Sequence, residues 1–236
     1  MKAVVIANGQ VEDADRAHLG GAGLLIAADG GGLTFERWGI VPHAVVGDMD
    51  SLDEAALGRL AARGAAIERH PGAKDETDLE LAIARARAAG ASEVVLLGAF
   101  GGARLDLTIA NALLLAGPAG AAIDLRAEAG PDTLRALRGP GRRPLAGRIG
   151  ATVSLVPVGT VTGVRTEGLA YPLTGDTLDL GRARGVSNEI VATPAAVSCD
   201  SGVLLVIERR ADASIVEPAC KVDTPTSRAR YRGRSI

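Results

Sequence analysis

Ala44-Val45-Val46-Gly47-Asp48-Met49-Asp50-Ser51 is a short apolar run that stops on a glycine and two carboxylates two residues apart. A run this short, without helical period, fits a strand buried on both faces of a sheet. The pattern recurs on either side. Ala3-Val4-Val5-Ile6-Ala7 ends on Asn8-Gly9, Leu24 to Ala28 ends on Asp29-Gly30-Gly31-Gly32, and Val94 to Leu97 ends on Gly98. Helical stretches lie between. One follows the glycines over Leu33 to Trp38, and one runs from Asp53 to Arg63 with Leu57, Leu60 and Ala61 on one stripe. Another opens on the capping box Thr77-Asp78-Leu79-Glu80, buries Leu79, Ala82, Ile83 and Ala86, and stops at Gly90. A further helix is expected from Leu105 to Ala116. Strands alternating with helices predict an α/β domain with a mostly parallel sheet over residues 1–130. Ligands of such sheets bind beyond the carboxyl ends of the strands, so these acidic and glycine-rich ends point to one shared site.

The character changes after about Arg126. Pro140, Pro144, glycines and arginines read as loop up to Gly150. Beyond it, Thr152 to Val156, Thr160 to Thr162, Val191-Ala192 and Val203 to Ile207 are β-rich and separated by turns. They predict a C-terminal all-β, sandwich-like domain over residues 145–210. Residues 224–236 are arginine-rich and poor in apolar side chains, and disorder is expected there.

Composition narrows the function. The formal charge of -2 over 236 residues argues against a protein that grips a nucleic-acid backbone. No apolar stretch approaches the roughly 18 residues of a membrane span, and the N-terminal run is too short for a signal peptide. Cys199 and Cys220 have neither metal-ligand spacing nor the density of a disulfide framework. A cytoplasmic enzyme is the expectation.

The chemistry suggested is Mg²⁺ and phosphate. Asp48 and Asp50, two apart on an extended segment, project to one side and can share a cation. Asp78 offers a third metal-facing carboxylate, or simply favours the helix dipole. Lys74, one of three lysines in the chain, either pairs with Asp75 or Asp78 or offsets phosphate charge. Asp29, Gly30 and Gly31 can bring backbone N–H groups close to anionic oxygens, as can Gly101 and Gly102, with Arg104 and Asp106 beside them. No Gly-Lys-Ser/Thr is present, so this is not a Walker A loop. His18, His43 and His70 are scattered, and no Gly-x-Ser-x-Gly exists, which leaves covalent hydrolysis unsupported.

Taken together, the motifs resemble the thiamine pyrophosphokinase (thiamine diphosphokinase) family. The resemblance is carried by Asp29-Gly30-Gly31, Gly47-Asp48-Met49-Asp50-Ser51, Lys74-Asp75-Glu76-Thr77-Asp78, Arg104-Leu105-Asp106, Tyr171-Pro172-Leu173 and Ser187-Asn188, in that order. Met49 replaces the family's usual Phe, and Leu107 stands where His is common. The resemblance implies pyrophosphoryl transfer from ATP to the thiamine hydroxyl, with Mg²⁺ as cofactor and AMP released. It implies a homodimer with sites between subunits. Asp48, Asp50 and Asp78 correspond to the metal carboxylates, with Asp50, Asp78 and Lys74 the catalytic candidates. Asp29, Gly30, Gly31, Gly101, Gly102, Arg104 and Asp106 fall on the nucleotide side, and Tyr171, Ser187 and Asn188 on the thiamine side. Three alternatives stay open: a diphosphokinase for another alcohol such as a hydroxymethylpterin, a non-catalytic nucleotide sensor, and a metal-dependent phosphohydrolase.

Overall fold

Six parallel strands form the first half of the sheet, and the computed structural model of the chain describes residues 1–211. The basic stretch 224–236 and Cys220 lie outside the described residues. The strands are β1 (Lys2–Ile6), β2 (Leu24–Ala28), β3 (Ala44–Gly47), β4 (Ala66–Arg69), β5 (Glu93–Leu97) and β6 (Asp124–Ala129), in spatial order β4-β3-β2-β1-β5-β6. Alternate residues of β1 serve opposite apolar layers, which is why its sequence is apolar throughout. Ala3 and Val5 join Ile26, Leu79, Ile83 and Leu96, whereas Val4 and Ile6 join Phe35, Leu57, Leu60 and Leu97.

Helices cover both faces. They are α1 (Gly31–Arg37), α2 (Glu54–Ala62), α3 (Asp78–Ala88), α4 (Leu105–Ala116) and the single turn α5 (Pro118–Ala121). Asp53 caps α2, its side chain accepting from the Ala56 N–H. Ala56 rather than Ala61 joins Leu57 and Leu60 in the buried stripe. At α3 the Thr77–Glu80 capping box is formed, with Leu79, Ala82, Ile83 and Ala86 buried as expected. Strand order reverses between β1 and β5, so the loops after these two strands diverge at a switch point. The Gly9 N–H donates to Gly98 O and the Gln10 N–H to Phe100 O, tying the two loops together.

The sheet does not end with its parallel part; it is mixed. After β6 the chain turns at Gly130-Pro131 into antiparallel β7 (Asp132–Arg138). Strand β7 pairs with β13 (Ser201–Arg209), which pairs with β9 (Thr152–Glu167). The 16-residue β9 belongs to two layers. Its first half pairs with β13 and β11 (Asn188–Glu189), and its second half with β10 (Thr174–Leu178) and β12 (Ala196–Cys199). Strand β8 (Gly141–Pro144) pairs with β12. Leu155, Val161, Leu178, Ile190, Val197 and Leu204 fill the space between the layers.

Residues 126–150, expected as loop, therefore hold β7, β8 and most of β6. Leu125 and Ala127 alternate on β6, whereas Leu134 and Leu137, three apart on β7, face opposite layers, so no single apolar face stands out among the interleaved arginines, most of which have partners. Arg126 pairs with Glu93 and Glu128, Arg135 pairs with Asp124, and Arg138 donates to the carbonyls of Leu115, Gly117 and Gly120. Val191-Ala192 is not a strand; the pairing residues are Asn188 and Glu189.

Candidate active site

The carboxylates quoted from separate stretches meet. Asp29 follows β2, and Asp48 and Asp50 follow β3; one oxygen from each lies within 4.8 Å of the others. They do not converge through an extended segment. Met49 takes a left-handed φ of 66° with its side chain buried, and the Asp50 N–H donates to Asp48 Oδ1 at 3.1 Å. A side-chain-to-backbone turn turns Asp50 back toward Asp48. Ser51 donates to Asp50 Oδ1 at 3.0 Å. Gly47 is needed beneath the group, since a Cβ there would stand 3.0 Å from both Asp29 Cβ and Asp78 Cγ.

Asp78, the first residue of α3, reaches the same place but outside that trio. Its Oδ1 faces Lys74 Nζ at 2.9 Å, and Asp48 Oδ2 lies 3.6 Å from the same ammonium. Asp29 is 6% exposed, and its Oδ1 is buried without a hydrogen-bonding partner. Burial raises its pKa; the Ser51 hydroxyl and Gly30 N–H oppose the rise, and Asp50 and Asp78 add to it. A desolvated carboxylate with one unpaired oxygen, beside two others, is an all-oxygen donor set that a hard divalent cation fits.

The glycines serve the protein's own packing. A Cβ on Gly31 would lie 1.9 Å from Ile6 O, and one on Gly30 2.4 Å from Asn8 Cγ. A Cβ on Gly101 would press on Gln10, while one on Gly102 would make only ordinary contact with Gly9 and Asn8, at 3.8 and 3.9 Å. Arg104 and Asp106 pair with each other on the surface at 2.5 Å, and that guanidinium holds the Asp106 carboxyl down to about 2. Asp50 acts on Arg104 as a neighbouring charge, which places the pair at the rim of the acidic group.

In the β-rich part, Tyr171, Pro172, Arg184, Ser187 and Asn188 line a concavity of about 320 Å³. Asn188 is buried, and its amide makes three hydrogen bonds to backbone. Oδ1 accepts from the N–H groups of Tyr171 and Glu189, and Nδ2 donates to Tyr171 O. It therefore clamps the Tyr171 loop, while Tyr171 and Ser187 are exposed at the concavity. Ser187 has a φ of 59°, and its N–H donates to Ser154 Oγ. Sequence reasoning assigned no role to Ser51, Gly47 or Asn8; the first two stood inside a quoted motif, and Asn8 carried only the signal of ending β1.

Comparison with known proteins agrees with this architecture. Residues 17–125 match the family described as thiamin pyrophosphokinase, catalytic domain, and residues 143–204 match thiamin pyrophosphokinase, vitamin B1 binding domain. The thiamine pyrophosphokinase of Bacillus subtilis (strain 168) is 27% identical over 186 residues, 78% of this chain and 86% of that protein. A crystal structure of thiamine pyrophosphokinase from Bacillus subtilis has a TM-score of 0.79 at 24% identity, covering 89% of this chain and 99% of the other. Thiamin pyrophosphokinase from Geobacillus thermodenitrificans has a TM-score of 0.77 at 25% identity, covering 91% and 100%. With its two parts matched in order by the two halves of one family, this chain belongs to the thiamin pyrophosphokinase family.

Proposed function

We propose that the chain is a Mg²⁺-dependent thiamine diphosphokinase, transferring the pyrophosphoryl group of ATP to the thiamine hydroxyl and releasing AMP. Family membership carries the substrates and the reaction. The observation that carries the mechanism is the meeting of Asp29, Asp48 and Asp50 around an orphaned oxygen. Asp29, first placed on the nucleotide side, is better used as a metal ligand with Asp48 and Asp50. Bound there, Mg²⁺ would supply charge neutralisation for the triphosphate.

The remaining roles fall to the chain's own residues. Lys74 offsets phosphate charge from its seat between Asp48 and Asp78. Asp78 or Asp50 accepts the hydroxyl proton as the oxygen bonds to the β-phosphorus and the bond to the AMP oxygen breaks. Gly101, Gly102 and Arg104 border the nucleotide, and the Tyr171–Ser187 concavity receives thiamine. Positioning and electrostatics supply most of the rate.

A homodimer belongs to the same reading. Helix α4 exposes Leu105, Ile109 and Leu113 along one stripe at 71%, 54% and 49%, an apolar surface suited to a second copy. A cytoplasmic location belongs to the family reading; among the described residues no helix is long and apolar enough to cross a membrane, and Cys199 is in no disulfide.

The test is AMP formation from ATP with thiamine present, absent, or replaced by a hydroxymethylpterin. AMP release should require thiamine and Mg²⁺, and Asp48→Asn or Asp50→Asn should lower it about 1,000-fold with the fold intact. Release without thiamine would favour a phosphohydrolase, and release with the pterin alone another diphosphokinase.

A further inference from the structure

A second concavity, of about 400 Å³, lies where the parallel part of the sheet passes into the β-rich part. Its walls include Ile123, Leu125, Ala136 and Leu137, with Arg138 and Arg143 contributing cationic groups and Asp124 a carboxylate. Arg142 and Arg143 are neighbours on β8 and point to opposite faces. Arg142 points outward and pairs with Glu167 at 2.8 Å. Arg143 points inward, its Nε sealed from water and without a hydrogen-bonding partner among the described residues.

The groups around Arg143 do not neutralise it by contact. Asp124 is held by Arg135 at 2.9 Å. Glu208 accepts from the N–H groups of Ala146 and Gly147. Arg138 spends three of its N–H bonds on carbonyls at the ends of α4 and α5, which leaves its Nε–H and one Nη1–H. Burial lowers the pKa of both Arg138 and Arg143, and Arg135 pushes that of Arg143 the same way. An Nε–H sealed from water and left unpaired is costly, and a planar anion can bond a guanidinium through two parallel hydrogen bonds.

We propose that the Arg138–Arg143 concavity is an anion-binding site, separate from the carboxylate group, for a small organic phosphate or carboxylate. The anionic head meets the Arg143 fork, and the organic part lies against Ile123, Leu125 and Leu137. A bare inorganic anion would leave these apolar walls uncovered and bind more weakly.

The test is calorimetric titration of the full chain with phenyl phosphate, benzoate and inorganic phosphate. EDTA is present, so that the carboxylate group holds no metal and binds no phosphate through it. Saturable binding of phenyl phosphate or benzoate is expected, at least tenfold tighter than inorganic phosphate and unchanged in Asp48→Asn/Asp50→Asn. The stronger of the two organic anions identifies the head group preferred. Arg143→Met should weaken binding at least tenfold while melting no lower than the parent chain in the absence of ligand. Where the methionine variant does not fold, Arg143→Lys keeps the charge and should still lose at least fivefold. No saturable binding at millimolar probe, or equal binding by these Arg143 variants, overturns the proposal. Thiamine and ATP play no part in this titration, so its outcome is independent of the diphosphokinase reading.

Discussion

Lys74 and Asp78 face each other across 2.9 Å, ammonium to Oδ1, and the same ammonium stands 3.6 Å from Asp48 Oδ2. Burial works against the charge on Lys74, yet Asp78 and Asp48 together hold its pKa above the ordinary 10.5. A raised lysine pKa contributes stability that is complete below 10.5 and is lost only as pH climbs through the higher folded value. Lys74 thus stays charged throughout the neutral range. Lys74→Met should lower kcat about 100-fold, roughly 2.7 kcal/mol of transition-state stabilisation. Turnover above half of the parent value would remove Lys74 from the machinery.

Asp29 makes the opposite prediction for stability. Burial raises its pKa first, with Asp50 and Asp78 adding to the effect. A carboxylate whose folded pKa is raised favours the folded state below the unfolded pKa of about 3.8, and that benefit disappears as pH rises through the folded value. At neutral pH the ionised group is therefore a burden unless a cation answers it. Asp29→Asn should melt about 2 °C higher than the parent in EDTA. It should also lose the rise in melting temperature that Mg²⁺ gives the parent. Thermal scans with and without Mg²⁺ decide both points.

In the parallel half, β1, β2, β3 and β5 were legible because they are apolar on both faces, and α2 and α3 because they open on side-chain caps, whereas the half-exposed edge strand β4 was not expected. The Thr77 capping box follows from side chains that act locally, whereas α4 opens at Arg104 without a side-chain cap. The β-rich part was less legible because its strands hide polar residues by pairing them. In β7, Leu134 and Leu137 serve opposite layers and are interleaved with Arg135 and Arg138, so composition alone reads the strand as loop. The acidic group was half legible. Residue type and placement after strands brought out Asp48, Asp50, Asp78 and Asp29, but local spacing could not tell that Asp29 sits closer to the first two than Asp78 does. That depends on the β2–β3 pairing and on the left-handed turn at Met49.

Asn188 and Ser187 are adjacent and should behave differently. The Asn188 amide binds three backbone groups and is buried, so Asn188→Ala strands the Tyr171 and Glu189 N–H groups. A loss of about 2–3 kcal/mol is expected in urea unfolding. KM for thiamine should rise at least tenfold as the Tyr171 loop loosens, with KM for ATP unchanged. Ser187→Ala should spare stability and raise only KM for thiamine. Equal stabilities for the two variants would contradict the clamp.

The exposed stripe on α4 predicts the oligomer. Ile109 sits at its centre with Leu105 and Leu113 one turn away on either side. Ile109→Lys places a charge there and should convert a dimer to monomer in sedimentation equilibrium, with the far-UV spectrum unchanged. A parent chain that sediments as a monomer would refute the second copy on this face.

Gly31 and Gly58 both lie in helices and should respond to alanine with opposite signs. At Gly31, the first residue of α1, the added methyl would fall 1.9 Å from Ile6 O and 3.3 Å from the Ala7 nitrogen. Those atoms are backbone of the central strand β1 and cannot yield without opening the sheet. Gly31→Ala should cost more than about 3 kcal/mol, as overpacking against fixed atoms does. At Gly58, inside α2, the new Cβ meets nothing within 4 Å. Gly58→Ala reduces the freedom of the unfolded chain and should stabilise by about 0.5–1 kcal/mol. Urea unfolding of the two variants compares them directly. A destabilised Gly58→Ala would mean that an unseen neighbour covers that face of α2, and a neutral Gly31→Ala would mean that α1 does not sit this close to β1.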